Sequence, residues 1–375
     1  MKILLTGGGT GGHFYPIIAI AEAINKLRKE NRLMNADIYY MSNSPYNAGI
    51  LFDNGITFRK NSAGKIRRYF SILNFFDLFK TFWGILGSLW KVFNIYPDVV
   101  FGKGGYASFP ALFAARVFRI PVVIHESDSV PGRVNLWAGK FAEKIAVSYP
   151  EAVEYFPKEK VAYTGNPVRK ELIQPLKTGA REFLKLEDNT PVLFILGGSL
   201  GSQIINEAIV DALPQLVGNF EIIHQVGRKN LKQVTERASV MLRDNPHGNR
   251  YKPFDYLNVL GMRMAAGVAD IVISRAGSTI FEIASWKVPS IIIPITDTNG
   301  DHQRKNAFAY ARSGACVVVE EENLSANILV SEINRLMDSS VGREVMKKGT
   351  ESFNHPDAAE KIAKEILTIA LRHEK

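Results

Sequence analysis

A single cysteine, Cys316, occurs in the 375 residues. No intramolecular disulfide can form, and a reducing compartment suits the chain. No uninterrupted apolar run of membrane-spanning length is present, because the greasiest stretch, 66–93, is broken by Asp77, Lys80 and Lys91. Met1-Lys2 is followed by too short an apolar run before a glycine cluster to act as a secretory signal. There is no D-x-D pair to hold a divalent ion against a diphosphate, no set of cysteine ligands, and no zinc spacing among the seven histidines. Neither a metal nor a cofactor is therefore expected. The absence of helix-turn-helix and RNP-type motifs argues against a nucleic-acid partner.

What is present is globular in character: 46% hydrophobic and 22% charged residues, with a length that suits two domains. The net charge of +9 is unevenly spread. Residues 1–165 hold 20 Lys/Arg against 12 Asp/Glu, whereas the remainder holds 26 against 25. A basic first half beside a near-neutral second half points to an anionic surface or ligand on one side only. The 66–93 segment adds six Phe, Tyr69, Trp83 and Trp90, with Lys65, Arg67, Arg68, Lys80 and Lys91 nearby. Such a composition fits either helices packed on a sheet or an interfacial contact with an anionic membrane.

Short β-rich runs alternate with helical periods along the whole chain. The pattern predicts strands at 3–6, 37–41, 98–101, 121–125, 144–147 and 161–164. In the second half it predicts strands at 192–196, 221–225, 270–274, 290–295 and 315–319. Near-continuous apolar strands of this kind belong to parallel sheets covered on both faces. Both halves open with a strand, a glycine-rich turn and an amphipathic helix, KILLTGGGTGGH and VLFILGGSLGSQ. The expected fold is α/β, with two Rossmann-like doubly wound domains at 1–165 and 166–356 and a last helix, 357–375, returning to the first.

Gly7, Gly9 and Gly12 satisfy G-x-G-x-x-G, so a nicotinamide-dependent oxidoreductase must be weighed. That fingerprint requires a carboxylate closing the second strand, and Tyr40-Met41-Ser42-Asn43-Ser44 has none. What survives is the anion-binding capacity of backbone amides at a helix N-terminus. Gly197–Gly201, with Ser199, offers a second such turn, and Gly102-Lys103-Gly104-Gly105 a third. Several phosphate cradles point to a diphosphate ligand. Polar residues cluster at the expected strand ends. His13 follows the first turn, His125-Glu126 close another strand, and Asn135 comes soon after. A histidine so placed could take a proton from a hydroxyl. Arg275–Thr279 and Glu282, then Gln303 and Asn306, would suit the diphosphate, ribose and sugar of a nucleotide sugar.

Taken in order, GGGTGGH, FGKGGYASFPALFAA, HESDSVPGRVN, TGNPVR, GGSLGSQ, SRAGST with Glu282, and DHQRKNA resemble the MurG family. These are the undecaprenyl-diphospho-muramoylpentapeptide N-acetylglucosaminyltransferases of peptidoglycan synthesis. The resemblance runs from Leu4 to Ala307. It implies a two-domain GT-B fold and inverting transfer of N-acetylglucosamine from UDP-N-acetylglucosamine to the C4 hydroxyl of a lipid-linked muramoyl-pentapeptide. It also implies a peripheral enzyme at the cytoplasmic face of the bacterial membrane. Carried onto this sequence, His13 is the proposed base and Glu126 an alternative or supporting group. Thr10, Gly11, Gly12 and Asn135 match substrate contacts of the first domain. Arg169 and Ser199 match donor positions of the second. Ser278, Thr279, Ile280 and Glu282 match the uridine and ribose loop, which is one residue shorter here than in many members. Gln303, with Asn306, lies on the sugar side. The uracil-facing backbone falls near Val259 or Leu260, and Gly9, Gly104 and Gly105 belong to loops for the acceptor diphosphate. A related glycolipid synthase, such as a diacylglycerol glycosyltransferase, and a non-catalytic membrane-surface module remain the competing readings.

Overall fold

The computed structural model describes residues 1–33, 36–64, 72–198, 201–296 and 301–374. The chain divides into two compact units, Met1–Arg169 with His355–Lys375, and Lys170–Asn354.

The first unit carries β1 (Lys2–Thr6), β2 (Asp37–Ser42), β3 (Ile56–Lys60), β4 (Val99–Gly102), β5 (Val122–Glu126), β6 (Lys144–Val147) and β7 (Val161–Tyr163). They form a seven-stranded sheet in the order β3-β2-β1-β4-β5-β6-β7, and every pairing is parallel. The second unit carries β8 (Val192–Leu196), β9 (Glu221–Gln225), β10 (Tyr251–Phe254), β11 (Ile271–Ser274), β12 (Ser290–Ile292) and β13 (Cys316–Val318). Its order, β10-β9-β8-β11-β12-β13, repeats the first. In each sheet the order reverses beside the opening strand, which is where doubly wound folds bind ligands.

Every strand predicted from the sequence is found, but β3 and β10 were not predicted. Both lie at sheet edges. Neither is a continuous apolar run: ITFRK ends in two basic residues and YKPF is interrupted by Lys252 and Pro253. Pro253 is tolerated in β10 because an edge has one side without a ladder.

In the first unit, the long helix Gly11–Glu30 buries Ile17, Ile20, Ala21, Ile24 and Leu27, the periodic residues of its sequence. The C-terminal helix Ala358–Ala370 packs Ile362, Ala363, Ile366 and Ile369 into the same core. Lys26 Nζ and Glu360 Oε2 lie 3.1 Å apart across these two helices.

The helix Ile72–Ile95 meets its own unit along a narrow keel: Gly84, Ser88, Val92 and Ile95 are buried. Gly84 allows this approach, since a Cβ there would lie 1.7 Å from the Ser62 carbonyl oxygen. Asn61 Nδ2 reinforces it, donating to Gly84 O at 3.2 Å and Ser88 Oγ at 2.7 Å. The opposite face is apolar and exposed, through Leu78, Phe79, Phe82, Trp83, Leu86, Trp90 and Phe93, with Trp83 66% and Trp90 68% exposed. Packing on the sheet thus accounts for the keel and not for the aromatic face. Arg67 and Arg68 lie outside the described residues. Among the described residues, no helix is long and apolar enough to cross a membrane.

Candidate functional site

In the first unit, β1 runs into Gly7–Thr10 and then the N-terminus of the Gly11–Glu30 helix. Thr10 is the N-cap residue, yet its side chain makes no capping bond. Its Oγ1 lies 3.0 Å from His13 Nδ1 instead. That contact fixes the imidazole and leaves Nε2 toward the Gly102–Gly105 turn, where a Cβ on Gly105 would lie 3.5 Å from it. Gly9 has open space where a Cβ would stand. Gly11 and Gly12 open the helix, where amides have no intrahelical acceptor.

Gly104 and Gly105 have φ of +87° and +77°, so both need glycine. A Cβ on Gly104 would meet Asn135 Nδ2 at 2.7 Å, and one on Gly105 would meet Gly8 Cα at 3.0 Å. Two of the three glycine turns and Asn135 therefore come together at one edge of the first sheet.

Glu126 ends β5 and is 3% exposed. Its Oε1 accepts from Asp128 N at 3.0 Å, while Oε2 accepts from Gly132 N at 3.0 Å and Asn135 Nδ2 at 2.9 Å. The same amide group donates to His125 O at 3.0 Å. Glu126 is thus the anchor of the 127–135 loop, a role that engages both of its oxygens. Burial, followed by the charge of Asp128, pushes its carboxyl up to about 7 despite those bonds and despite Lys103. His13 is driven the other way, down to about 4, by burial and then by Lys103, with Asp128 opposing. Its residue still keeps some contact with solvent. At neutral pH the imidazole is uncharged, the state required of a proton acceptor. His125 is wholly buried, with Nε2 3.1 Å from Gly165 O and 3.2 Å from Ser148 Oγ. Burial holds it well below the usual range, so it is a structural histidine.

Arg169 ends the N-terminal segment of the first unit, although the family resemblance assigns it to donor binding by the second domain. Its guanidinium lies 4.2 Å from the centre of the Tyr15 ring, a cation–π contact.

In the second unit, β8 runs into Gly197–Gly201 and the helix Gln203–Leu216. Ser202 caps that helix, its Oγ accepting from Ile205 N at 3.4 Å. Gly198 and Gly201 have φ of +84° and +76°. Ser199 lies outside the described residues. Ser278 and Thr279 are half-buried at the start of the helix Thr279–Trp286, and Glu282 occupies its first turn. Val259 opens the helix Val259–Val268, behind Asn258, whose Oδ1 caps Gly261 N at 2.9 Å.

Three of the sequence-predicted positions also make structural contacts. Ile280 has a fully buried side chain and its amide donates to Gly277 O at 3.2 Å, so it belongs to the core. Asn306 is 1% exposed and donates to Ala276 O at 3.3 Å, which makes it a brace for the Arg275–Thr279 turn. Gln303 Oε1 accepts from Ile295 N at 3.2 Å, tying its helix to the segment after β12.

Arg275, which opens the turn expected to suit a diphosphate, is engaged by the protein itself. Its Nη2 donates to Ser202 Oγ at 2.6 Å and lies 2.5 Å from Glu321 Oε1, and Nη1 donates to Ile293 O at 3.1 Å. Glu321 Oε2 in turn accepts from Thr296 N at 3.0 Å and Thr296 Oγ1 at 2.8 Å. One buried guanidinium thus connects three loops of the second sheet. Glu321 lies in no motif, and no sequence signal distinguishes it from Glu320 and Glu322. Among the described residues, no group of His, Cys, Asp and Glu could hold a metal ion.

The chain matches the glycosyltransferase family 28 N-terminal domain over residues 3–147 and the C-terminal domain over residues 192–362. A Bacillus cereus protein named UDP-N-acetylglucosamine–N-acetylmuramyl-(pentapeptide) pyrophosphoryl-undecaprenol N-acetylglucosamine transferase 2 is 35% identical, over 97% of this chain and 99% of its own. A Clostridium novyi transferase named for the same reaction is 37% identical, over 89% and 90%. Among solved structures, Acinetobacter baumannii MurG superposes with a TM-score of 0.72 at 23% identity, covering 98% of this chain and 99% of its own. These similarities and the paired doubly wound sheets agree: the chain belongs to glycosyltransferase family 28, with the two-domain GT-B fold of the MurG N-acetylglucosaminyltransferases.

Proposed function

We propose that the protein transfers N-acetylglucosamine from UDP-N-acetylglucosamine to the C4 hydroxyl of an undecaprenyl-diphospho-muramoyl-pentapeptide, with inversion at the anomeric carbon. The observation that carries this reading is His13: uncharged at neutral pH, held at Nδ1 by Thr10, and facing the Gly102–Gly105 turn with Nε2. Nε2 takes the hydroxyl proton as the oxygen attacks the anomeric carbon, and UDP leaves from the opposite side. Glu126 is the supporting group, because its oxygens are engaged in holding the loop that carries Asn135. The amides after Gly9, with Gly104 and Gly105, receive the acceptor diphosphate. The turn with Ser199, the Ser278–Thr279 helix start and Arg169 receive the departing diphosphate. Glu282 takes the ribose hydroxyls, the backbone near Val259 the uracil, and Gln303 the sugar.

The enzyme acts as a peripheral protein at the cytoplasmic face of the membrane. Support for this comes from the exposed aromatic face of Ile72–Ile95 and the excess of basic residues in the first half.

Purified protein should release UDP from UDP-N-acetylglucosamine only when the lipid-linked muramoyl acceptor is supplied, and diacylglycerol should not replace it. His13→Ala should lower turnover by about 10²–10⁴-fold while donor affinity is kept. Release with diacylglycerol alone would reassign the acceptor, and unchanged turnover in His13→Ala would remove the base.

A further inference from the structure

Lys103 is a buried cation that the reaction above does not use. It follows β4 directly and is 1% exposed, and its Nζ has no hydrogen-bond partner. Its backbone amide donates to Thr6 O at 2.8 Å. A Cβ on Gly7 would lie 3.2 Å from its own Cβ, so the side chain starts beneath the first glycine turn. β4 lies beside β5 in parallel register, Gly102 with Ile124, so the residues that follow bring Lys103 to the edge where Glu126 ends its strand. A lysine is seldom enclosed without a partner, because an unpaired buried ammonium is costly.

Glu126 poses the complementary problem. Its carboxylate is buried and accepts from three donors, while the neighbouring Asp128 carries the same sign of charge. A carboxylate so placed takes up a proton unless a cation opposes it. Among the described residues, the titratable groups around it are Asp128 in the following loop, His125 on its own strand, His13 on the first helix, and Lys103 beyond β4. Both histidines are uncharged at neutral pH, which leaves Lys103 as the opposing cation.

We propose that Lys103 is a positioning residue: its enclosed ammonium favours the ionised form of the Glu126 carboxylate, and thereby helps hold the 127–135 loop and Asn135 in place. Protonation of Glu126 would set an O–H against the N–H of Asp128 or Gly132, and one loop anchor would be lost. The electrostatics are reciprocal. Burial lowers Lys103 to about 8, and the charges of Glu126 and then Asp128 oppose that fall.

The inference rests on the proposed function only in its kinetic arm. In protein labelled at the glutamate carboxyl carbon, the Glu126 resonance, assigned by its loss in Glu126→Gln, should titrate near 7. Lys103→Met keeps the volume and removes the charge, and should raise that midpoint by about one pH unit. Lys103→Arg should restore it. Should Lys103→Met fail to fold, Glu126→Gln supplies the reciprocal measurement, since the Lys103 midpoint, read at a labelled Cε, must fall by a like interval. A Glu126 midpoint unmoved in Lys103→Met, or a Lys103 midpoint unmoved in Glu126→Gln, overturns the proposal. The acid limb of kcat/KM should follow the Glu126 midpoint; a limb that stays while the resonance moves would overturn the placing of catalysis at this edge and leave the pair intact.

Discussion

The two units share one strand order and use it for opposite electrostatic ends. At the edge of the first sheet stand groups whose charge changes near neutrality, Glu126 at about 7 and Lys103 at about 8, beside a neutral His13. At the corresponding edge of the second stands Arg275, a permanent cation already paired with Glu321. A doubly wound sheet thus sets where a ligand goes and leaves the chemistry to the residues after each strand. The first edge gathers groups that exchange protons near neutrality; the guanidinium at the second ties three loops together.

The comparison can be broken most forcefully at Arg275. Arg275→Met should destabilise the second unit by about 3 kcal/mol, because Glu321 stays buried without its partner. Urea unfolding followed by hydrogen exchange would assign the loss, and Arg275→Met with Glu321→Leu should recover part of it. Equal loss of protection in both units would refute the separation.

Acid sharpens it next. His224 is buried between Tyr251 Oη and Asn206 Oδ1, each at 3.0 Å, and burial lowers it to about 3. A depressed pKa contributes stability that is complete above about 6.5 and lost as pH falls toward the folded value. The second unit should therefore weaken by about 2 kcal/mol between pH 6.5 and pH 5. In His224→Gln that dependence should vanish from exchange rates in β8 and β9. The smallest effect concerns the first unit alone. Trp90→Ala should weaken binding to anionic vesicles by about tenfold and leave UDP-sugar affinity unchanged.

Most of the fold was legible because central parallel strands are continuous apolar runs, and β1, β5, β8 and β11 stand out as such. The edges β3 and β10 were not, since a strand with one free side is free to be polar. The glycine turns could be placed from spacing alone, because each follows a strand directly, and His13 comes with the first of them; Asn135, in the helix Arg133–Gly139, is brought back to the same edge by its bond to Glu126. Sequence could not separate Ile280, which faces the core, from Ser278 and Thr279 beside it, since the direction of a side chain depends on how the helix lies. Nor could it show that Asn306 points inward at Ala276 O. Arg275 and Glu321 meet only through folding, with β12 and β13 between them in the chain.

The keel of the Ile72–Ile95 helix has an evolutionary consequence. Gly84, Ser88, Val92 and Ile95 are the helix residues whose burial couples it to its unit between 84 and 95, and Gly84 is constrained by the Ser62 carbonyl. The exposed residues of the opposite face, Leu86 and Trp90 among them, answer to whatever lies outside the protein. Descendants of this chain are thus free to rewrite that face for a different surface, one substitution at a time, without reopening the core.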